Sequence, residues 1–234
     1  MNALFRIALL AVLLLSQAAQ GQGIGEARAY DSPTLRQQAK AEELYRAGHW
    51  ERAYFIYVND LAATGDKYAQ YMAGYMCLNG KGVPRDAVRA SAWYRLAAER
   101  GAPEFVEVRD QLLESMGEES RQASDELFIA LRKKYSDLVL ALGYLEDERE
   151  ALNARPTGSR LSSSSSSITI IDPRTGMTMT RSEYLRRLES RMKLRLDYIT
   201  AKLDIEDVEA DMSDRQFREL VDQVDQYLQQ INDR

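Results

Sequence analysis

Two glycines separated by one residue, Gly80 and Gly82, precede a stretch with helical spacing and raise the question of phosphate binding. A phosphate-binding glycine loop needs a strand before it, because the free N–H groups at the start of the next helix must converge on the anion. The residues before Gly80 have helical periodicity, and neither Lys-Ser nor Lys-Thr follows the glycines. We therefore predict that the two glycines form a joint between helices and bind no phosphate.

Few side chains in the sequence could act as a nucleophile, a general base or a metal ligand. His49 is the one histidine, and its place in a predicted turn between helices favours exposure to solvent. Cys77 is the one cysteine, so we expect a small buried apolar residue, with pairing between chains or reactivity as the alternative. One residue of each type cannot build a His/Cys zinc site. We therefore expect no catalytic, cofactor-binding or metal-binding residues.

The composition is that of a globular protein that binds no nucleic acid. Of the 234 residues, 45% are apolar and 29% are charged, which is typical of a fold with a sizeable core. The formal net charge of −5 is opposite in sign to the basic surface that a general nucleic-acid binder needs. These values also exclude a disordered chain and a membrane bundle.

The N-terminus has the pattern of a secretory signal peptide. A short start with one positive charge precedes nine unbroken apolar residues, Ile7 to Leu15, and Ser16 and Ala18 then fit a cleavage site. Such a run spans only about 14 Å as a helix, too short for a hydrocarbon core of roughly 30 Å. No cysteine follows for a lipoprotein anchor. We predict a signal peptide at residues 1–18 and a periplasmic or secreted protein with no integral membrane segment after cleavage. An uncleaved anchor is the alternative.

Residues 32–104 have the pattern of helix pairs stacked in tandem. Apolar and small residues recur three and four positions apart, and glycines separate the runs. Tyr68 to Leu78 and Asp86 to Arg100 form the clearer pair, which follows a more degenerate one at Ala41 to Gly65. Tandem helix pairs are typical of a solenoid, in which each pair covers the apolar face of its neighbour. We therefore predict an all-α fold that contains a short α-solenoid of helix-turn-helix repeats.

The joint hypothesis gives most residues of the second pair a structural role. The glycines can adopt positive φ and reverse the chain, and the carboxylate of Asp86 can cap the next helix. Alanines let the helices approach closely while Trp93 and Tyr94 fill the remaining space. The pattern resembles the Sel-one-like repeat, a relative of the tetratricopeptide repeat, at Ala69, Gly74, Gly80, Gly82, Val83, Asp86, Ala90, Trp93, Tyr94, Ala97, Ala98 and Gly101.

The resemblance covers residues 69–101, and Ala41 to Gly65 is similar to a degenerate tetratricopeptide repeat before it. Two positions depart from the family pattern, because Ala73 stands where leucine is usual and Cys77 where tyrosine is usual. The resemblance implies an α-solenoid that acts as an adaptor in a protein complex, commonly in bacterial envelopes, and it implies no shared chemistry. A disulfide-rich branch of the family is linked to β-lactams, but its paired cysteines are absent here.

The remaining sequence predicts three further regions. Residues 105–154 are helical and are expected to cap the open end of the solenoid. Residues 155–180 hold a serine-rich linker and then two β-prone runs around a turn, which predict a short hairpin. Residues 181–234 predict a C-terminal helical hairpin or coiled coil with capping boxes at Thr180–Glu183 and Ser213–Gln216. The first of these helices begins with basic residues, and the chain from Asp204 to Asp225 is acidic. We therefore expect opposite charges to lie side by side in the hairpin.

One helix of the second pair carries a candidate partner-binding face, because Tyr and Met make good contacts with protein partners. Packing on the preceding repeat is the alternative for each of these residues. The candidates are Tyr68, Tyr71, Tyr75, Met72 and Met76.

Together these patterns predict an exported, non-catalytic adaptor of the bacterial cell envelope that binds envelope proteins and needs no cofactor. Two alternatives stay open at this point. One is an envelope hydrolase that acts on peptidoglycan or β-lactams, and the other is a structural subunit that forms a homo-oligomer through residues 181–234.

Overall fold

The computed structural model describes residues 32–153, 169–172, 176–205, 208 and 212–232. The predicted signal peptide and most of the predicted serine-rich linker therefore lie outside the described residues. Within them the fold is all-α apart from one two-stranded hairpin, as the sequence predicts. No helix in this part of the chain combines the length and the hydropathy that crossing a membrane requires.

The helices of the first half are joined by short turns and form the two predicted pairs, α1 with α2 and α3 with α4. They are α1 (Ser32–Arg46), α2 (Trp50–Phe55), α3 (Lys67–Asn79), α4 (Ala87–Ala97), α5 (Pro103–Ser115), α6 (Glu118–Tyr135) and α7 (Asp137–Asn153). The C-terminal elements are β1 (Thr169–Ile171), β2 (Thr178–Thr180), α8 (Arg181–Leu203) and α9 (Asp214–Asn232).

Helix α2 changes its hydrogen bonding along its length, which the sequence does not predict. It continues as a π-helix, Ile56–Leu61, and then as a 3₁₀ turn, Ala62–Thr64. The amide of Ala62 donates to the carbonyl of Tyr57, five residues earlier. A π-helical turn holds more residues than an α-helical one, so side chains after it are rotated from their expected positions. Here the Tyr57 side chain is buried in the core.

The turn between α3 and α4 is a joint between helices, as predicted. An α-helix precedes Gly80, which adopts a φ of 63° and ends that helix. The amides of Lys81 and Asp86 donate to the carbonyls of Met76 and Cys77, both at 2.9 Å. These backbone donors therefore bind the end of α3, and they do not converge on an anion.

The same turn also packs against the start of α2. Gly82 has a φ of 72°, and a Cβ atom at this position would lie 2.4 Å from the backbone carbonyl carbon of Trp50. After the turn, the carboxylate of Asp86 accepts a hydrogen bond of 2.8 Å from the amide of Arg89 and caps α4 as predicted. Val83 is half-buried and packs against the core of the two helix pairs.

Helices α3 and α4 approach each other closely, and Gly74 is the residue that permits it. A Cβ atom at position 74 would lie 2.7 Å from the ring of Tyr94 and 3.1 Å from the carbonyl oxygen of Ala90. The apolar positions of the predicted repeat are all buried around this contact. They are Ala69, Ala90, Trp93, Tyr94, Ala97 and Ala98.

Helix α6 covers the end of the helix pairs, as predicted for part of residues 105–154. It packs along α4, where the hydroxyl of Ser124 donates to that of Ser91 at 3.0 Å. Phe128 and Tyr135 of α6 are buried in the same core, and the Tyr135 ring lies 5.3 Å from that of Trp93. The helix thereby closes a core that would otherwise be open to solvent.

The position of helix α7 differs from the expectation that all of residues 105–154 cap the solenoid. The chain turns at Ser136, and α7 packs against α8 and α9 in a second core. Leu138 and Leu145 of α7 are buried there with Met192 of α8 and Val224 of α9. The apolar face of α7 is therefore covered by the C-terminal helices, which joins the two predicted regions into one three-helix unit.

Two basic residues of α8 pair with carboxylates of α7 and of the hairpin, whereas the predicted acidic partners, Asp204 to Asp225, lie partly outside the described residues, so that pairing stays a prediction. Arg191 and Arg195 donate to the two carboxylate oxygens of Glu148 on α7, at 2.9 and 2.7 Å. Arg191 also donates to Asp172 in the hairpin at 3.3 Å. Glu148 and Asp172 are only 3% and 1% exposed, so burial of these carboxylates selects the nearest arginines as their partners.

The predicted hairpin is present, and it leans on α8. Strands β1 and β2 pair antiparallel, with Ile170 opposite Met179. The second predicted capping box is complete, because Ser213 and Gln216 each accept a hydrogen bond from the backbone amide of the other. The first is half formed: Thr180 accepts from the amide of Glu183 at 3.3 Å, but the Glu183 carboxylate binds arginines of its own helix.

Replacement of Gly74 by alanine tests the close approach of α3 and α4. We expect the Gly74→Ala protein to lose about 1–2 kcal/mol of unfolding free energy, because overpacking against Tyr94 outweighs the gain in helix propensity. The measurement is urea unfolding followed by circular dichroism.

The matched control for this substitution is Gly143→Ala on α7, where a Cβ atom meets nothing within 4 Å. We expect this variant to gain about 0.5–1 kcal/mol, since alanine is the better helix former at an open position. Equal stability changes in the two variants would contradict the close contact at Gly74.

Candidate functional site

Three tyrosines form a continuous aromatic strip along α3. Tyr68, Tyr71 and Tyr75 are half-buried, and their ring centroids lie 6.4 and 6.5 Å apart in stacked pairs. The spacing of three and four residues places them on one side of the helix. We call these three residues the tyrosine strip.

Aromatic residues from other helices hold the strip on both sides. Tyr94 of α4 stacks on Tyr71 at 5.3 Å, and Phe105 of α5 lies 5.5 Å from the same ring. Tyr45 of α1 contacts Tyr75 edge-on at 6.4 Å. Since both sides are packed, the rings are fixed in position before any partner binds.

A cation and an exposed tryptophan extend the strip at one end. The ammonium group of Lys81 lies 4.9 Å from the ring centroids of both Tyr45 and Trp50, within the range of cation–π contacts. The Trp50 side chain is 40% exposed. The joint between α3 and α4 supplies Lys81, so the turn that the glycines form also shapes this surface.

The structure corrects the expectation for Met72 and Met76. Met72 is 7% exposed and Met76 is fully buried, and both lie in the core of the helix pairs. One residue along a helix rotates the side chain by about 100°, which turns these two positions away from the surface that carries the tyrosines. Only the tyrosines among the five candidates are therefore available to a partner.

The hydroxyl groups of the strip are neutral hydrogen-bonding groups. Burial raises the pKa of Tyr71 above the ordinary value for tyrosine. Burial likewise raises the pKa of Tyr75, whose hydroxyl also hydrogen-bonds that of Tyr45. These hydroxyls stay protonated near neutral pH, so the strip can both donate and accept hydrogen bonds without carrying charge.

The single histidine and the single cysteine, His49 and Cys77, do not lie in surroundings that would activate them for catalysis. His49 is exposed in the turn before α2. The thiol of Cys77 is fully buried at 3.6 Å from the Tyr54 hydroxyl, and burial raises its pKa, so the nucleophilic thiolate is disfavoured. Among the described residues no three His, Cys, Asp or Glu side chains are grouped so that they could hold a metal ion.

Sequence analysis misses a partly buried charged cluster at one end of the helix pair. The ammonium group of Lys67, 7% exposed, donates to Glu99 at 2.7 Å and to Gln70 and the carbonyl of Leu96, both at 3.2 Å. It also lies 3.3 Å from the carboxylate of Asp137 at the start of α7. We call Lys67, Glu99, Arg100 and Asp137 the Lys67 cluster.

Arg100 and Glu99 complete the cluster and join it to α7. The Arg100 guanidinium donates to both carboxylate oxygens of Asp137 at 2.7 Å and to the carbonyl of Gly65 at 3.1 Å. The amide of Asp137 donates to Glu99 at 3.0 Å. Burial would raise the pKa of Asp137, but the hydrogen bonds from Arg100 and the charge of Lys67 hold that pKa below its ordinary value of 3.8.

Comparison with known families supports the resemblance found in the sequence. Residues 67–101, which include α3 and α4, match the sequence model of the Sel1 repeat. Sel1 repeats generally mediate protein–protein interactions and are not catalytic. A comparison with curated proteins and one with solved structures each found no match.

The Lys67 cluster predicts a pH-dependent effect of the substitution Asp137→Asn. We expect it to cost roughly 2 kcal/mol at neutral pH, because it removes the buried carboxylate that contacts both Lys67 and Arg100. The folded-state pKa of Asp137 lies below the unfolded value, so its contribution is complete above about pH 4 and is lost as the pH falls further. Urea unfolding at neutral pH and at about pH 3 measures whether the difference from wild type shrinks.

The control for this substitution is Asp125→Asn. The Asp125 carboxylate is 58% exposed and pairs with Arg95 at the surface, so we expect a loss below about 1 kcal/mol. If Asp137→Asn were as mild as this control at neutral pH, the proposed contribution of the cluster would be wrong.

Proposed function

We propose that this chain is an adaptor that holds a segment of another protein on the tyrosine strip of its Sel1 repeat. The observation that carries the proposal is the half-buried strip of Tyr68, Tyr71 and Tyr75. Tyrosine and tryptophan supply much of the binding energy in protein interfaces, since each buries a large ring and keeps a polar group. The strip also continues to the exposed Trp50 through Lys81 and Tyr45.

Packing around the strip supports binding without a large entropy cost. Tyr71 rests on Tyr94 and Phe105, and Tyr75 rests on Tyr45, so few side-chain rotations remain to be lost when a partner binds. The neutral hydroxyls can pair with the backbone or polar side chains of a bound segment. We therefore expect the partner segment to be mixed in character, with apolar side chains against the rings.

The location of the protein belongs to the same proposal. The apolar run from Ile7 to Leu15, with small residues after it, supports export across a bacterial inner membrane and removal of residues 1–18. The adaptor then acts in the periplasm or outside the cell, where its partners are envelope proteins.

The two alternatives from the sequence have less support. A hydrolase needs an activated nucleophile, whereas Cys77 is buried with a raised pKa and His49 is remote in an exposed turn. Self-association through α8 and α9 needs a free apolar seam. Phe217, Leu220 and Val224 of that seam are buried within the chain, so a homo-oligomer would first have to expose them.

Capture of partners from bacterial envelope extract tests the adaptor proposal. We expect Tyr75→Ala and Trp50→Ala each to reduce recovery of the specific partner by at least about tenfold, because Tyr75 forms one end of the strip and Trp50 extends the aromatic surface beyond that end. Captured proteins are identified by mass spectrometry, and binding of the identified partner is then measured by titration.

The matched control is Phe55→Ala, which removes an aromatic side chain that is 61% exposed on the same helix as Trp50. Its recovery should equal that of the wild type. Undiminished capture by the Tyr75 and Trp50 variants, with circular dichroism showing all proteins folded, would refute the strip as the binding site.

Export predicts that the chain is processed when it is expressed in bacteria. We expect the mature form, shortened at or near residue 18, to be released with the periplasmic fraction, and a chain that lacks residues 1–18 to stay in the cytoplasm. Intact mass measurement of each fraction distinguishes a cleaved signal peptide from an uncleaved anchor. A full-length chain retained in the membrane would support the anchor alternative instead.

A further inference from the structure

A cleft lies where the repeat meets the C-terminal helices, on elements that the tyrosine strip does not use. Its walls come from α4, α5, α6 and α9, with the start of α7 and the end of α8 at its margin, and its volume is about 490 Å³. Small-molecule sites commonly measure roughly 300–1,000 Å³. We call it the Arg132 cleft after one of the residues that line it.

Positive charge predominates among the residues that line this cleft. Arg109 pairs with Asp110 at 2.7 Å, and Arg95 pairs with Asp125. Glu99 is held by the Lys67 cluster, where its carboxylate accepts from Lys67 and from the amide of Asp137. The carboxylates of the cleft are therefore engaged. The lining cations are Arg95, Arg109, Arg132 and Lys202.

Two of these cations, Arg132 and Lys202, have no carboxylate partner within 4 Å among the described residues. The guanidinium of Arg132 donates to the neutral side chain of Asn232 at 2.9 Å, and none of its other N–H groups binds a described residue. Burial lowers the pKa of Arg132 and nearby Arg95 adds to this, although Glu99 opposes it. Lys202 is exposed at the margin of the cleft. An anion bound in the cleft would be attracted by both charges.

The remainder of the wall is apolar. The guanidinium carbons of Arg95 and Arg132 lie 4.1 and 4.2 Å from the ring centroid of Phe128, which fixes both side chains over that ring. Leu113 of α5 and Leu228 of α9 also line the cleft. A bound molecule therefore meets cationic donors and apolar surface in the same space.

We propose that the Arg132 cleft binds a small organic carboxylate. Arg132 and Lys202 hold the carboxylate group, and Phe128, Leu113 and Leu228 contact the apolar body of the ligand. Because the walls come from both the repeat and the C-terminal helices, a bound ligand links the two parts and stabilises their arrangement.

Calorimetric titration with benzoate, benzamide and inorganic phosphate tests this proposal on the full-length chain and on the processed protein. Benzoate should bind and raise the melting temperature. Benzamide, which has the same ring without the charge, and phosphate, which has charge without a ring, should each bind at least about tenfold more weakly.

Substitutions assign the binding to the cleft. Arg132→Gln and Lys202→Gln should each weaken benzoate binding about tenfold, whereas Lys133→Gln, an exposed residue next to Arg132 in sequence, should leave it unchanged. Because Lys202 is exposed, its substitution should not disturb folding. The Lys202→Gln variant therefore tests binding at the cleft even if Arg132→Gln does not fold.

Each of four results would overturn the proposal. These are an absence of benzoate binding at millimolar concentration, equal binding by the Lys202 and Lys133 variants, equal affinity for benzamide, and equal affinity for phosphate. The last two would show an apolar site or a site that recognises charge alone.

Discussion

The charges of the Lys67 cluster, of which Lys67 and Asp137 are buried, determine how the two parts of the described chain meet. Lys67 is the first residue of α3, Glu99 and Arg100 follow the end of α4, and Asp137 is the first residue of α7. Their charges are neutralised together only when the pair has closed and α7 has taken its position. A buried ion without its partner costs several kcal/mol, so a different placement of α7 would leave a charge uncompensated. The cluster thereby selects one arrangement, and that selection matters more than any net gain in stability.

Both candidate binding surfaces depend on this arrangement. The tyrosine strip keeps its shape because Gly74 lets α4 approach α3 and brings Tyr94 beneath Tyr71. The Arg132 cleft exists because the chain turns away from α6 at Ser136, so that α8 and α9 come to lie beside α4 and α6. One surface is aromatic and neutral, which suits a protein segment, and the other is cationic and concave, which suits a small anion. The two surfaces therefore suit two different kinds of ligand.

Local features of the fold could be predicted from the sequence, whereas features that depend on distant residues could not. Positive φ at Gly82 and the cap at Asp86 involve neighbouring residues, and both are confirmed. The outward face of α3 was ambiguous, because Tyr75 and Met76 are equally suited to a core or to an interface until the neighbouring helices are placed. Pairing of Arg191 with Glu148 was not predicted, since charge patterns along two helices do not show which buried carboxylate lies nearest. No local sequence pattern indicates the Lys67 cluster, because long stretches of chain separate Lys67, the neighbouring pair Glu99 and Arg100, and Asp137.

A double-mutant cycle between Arg100 and Asp137 tests the central claim most directly. Unfolding free energies of the wild type, Arg100→Gln, Asp137→Asn and the double variant give the coupling between the two side chains without assuming the cost of either substitution. The bidentate contact between the partly exposed Arg100 and the buried Asp137 predicts a coupling of about 1–2 kcal/mol at neutral pH. A coupling near zero would show that α7 is not fixed to the repeat by this pair, and the account of how the two parts of the described chain meet would be contradicted.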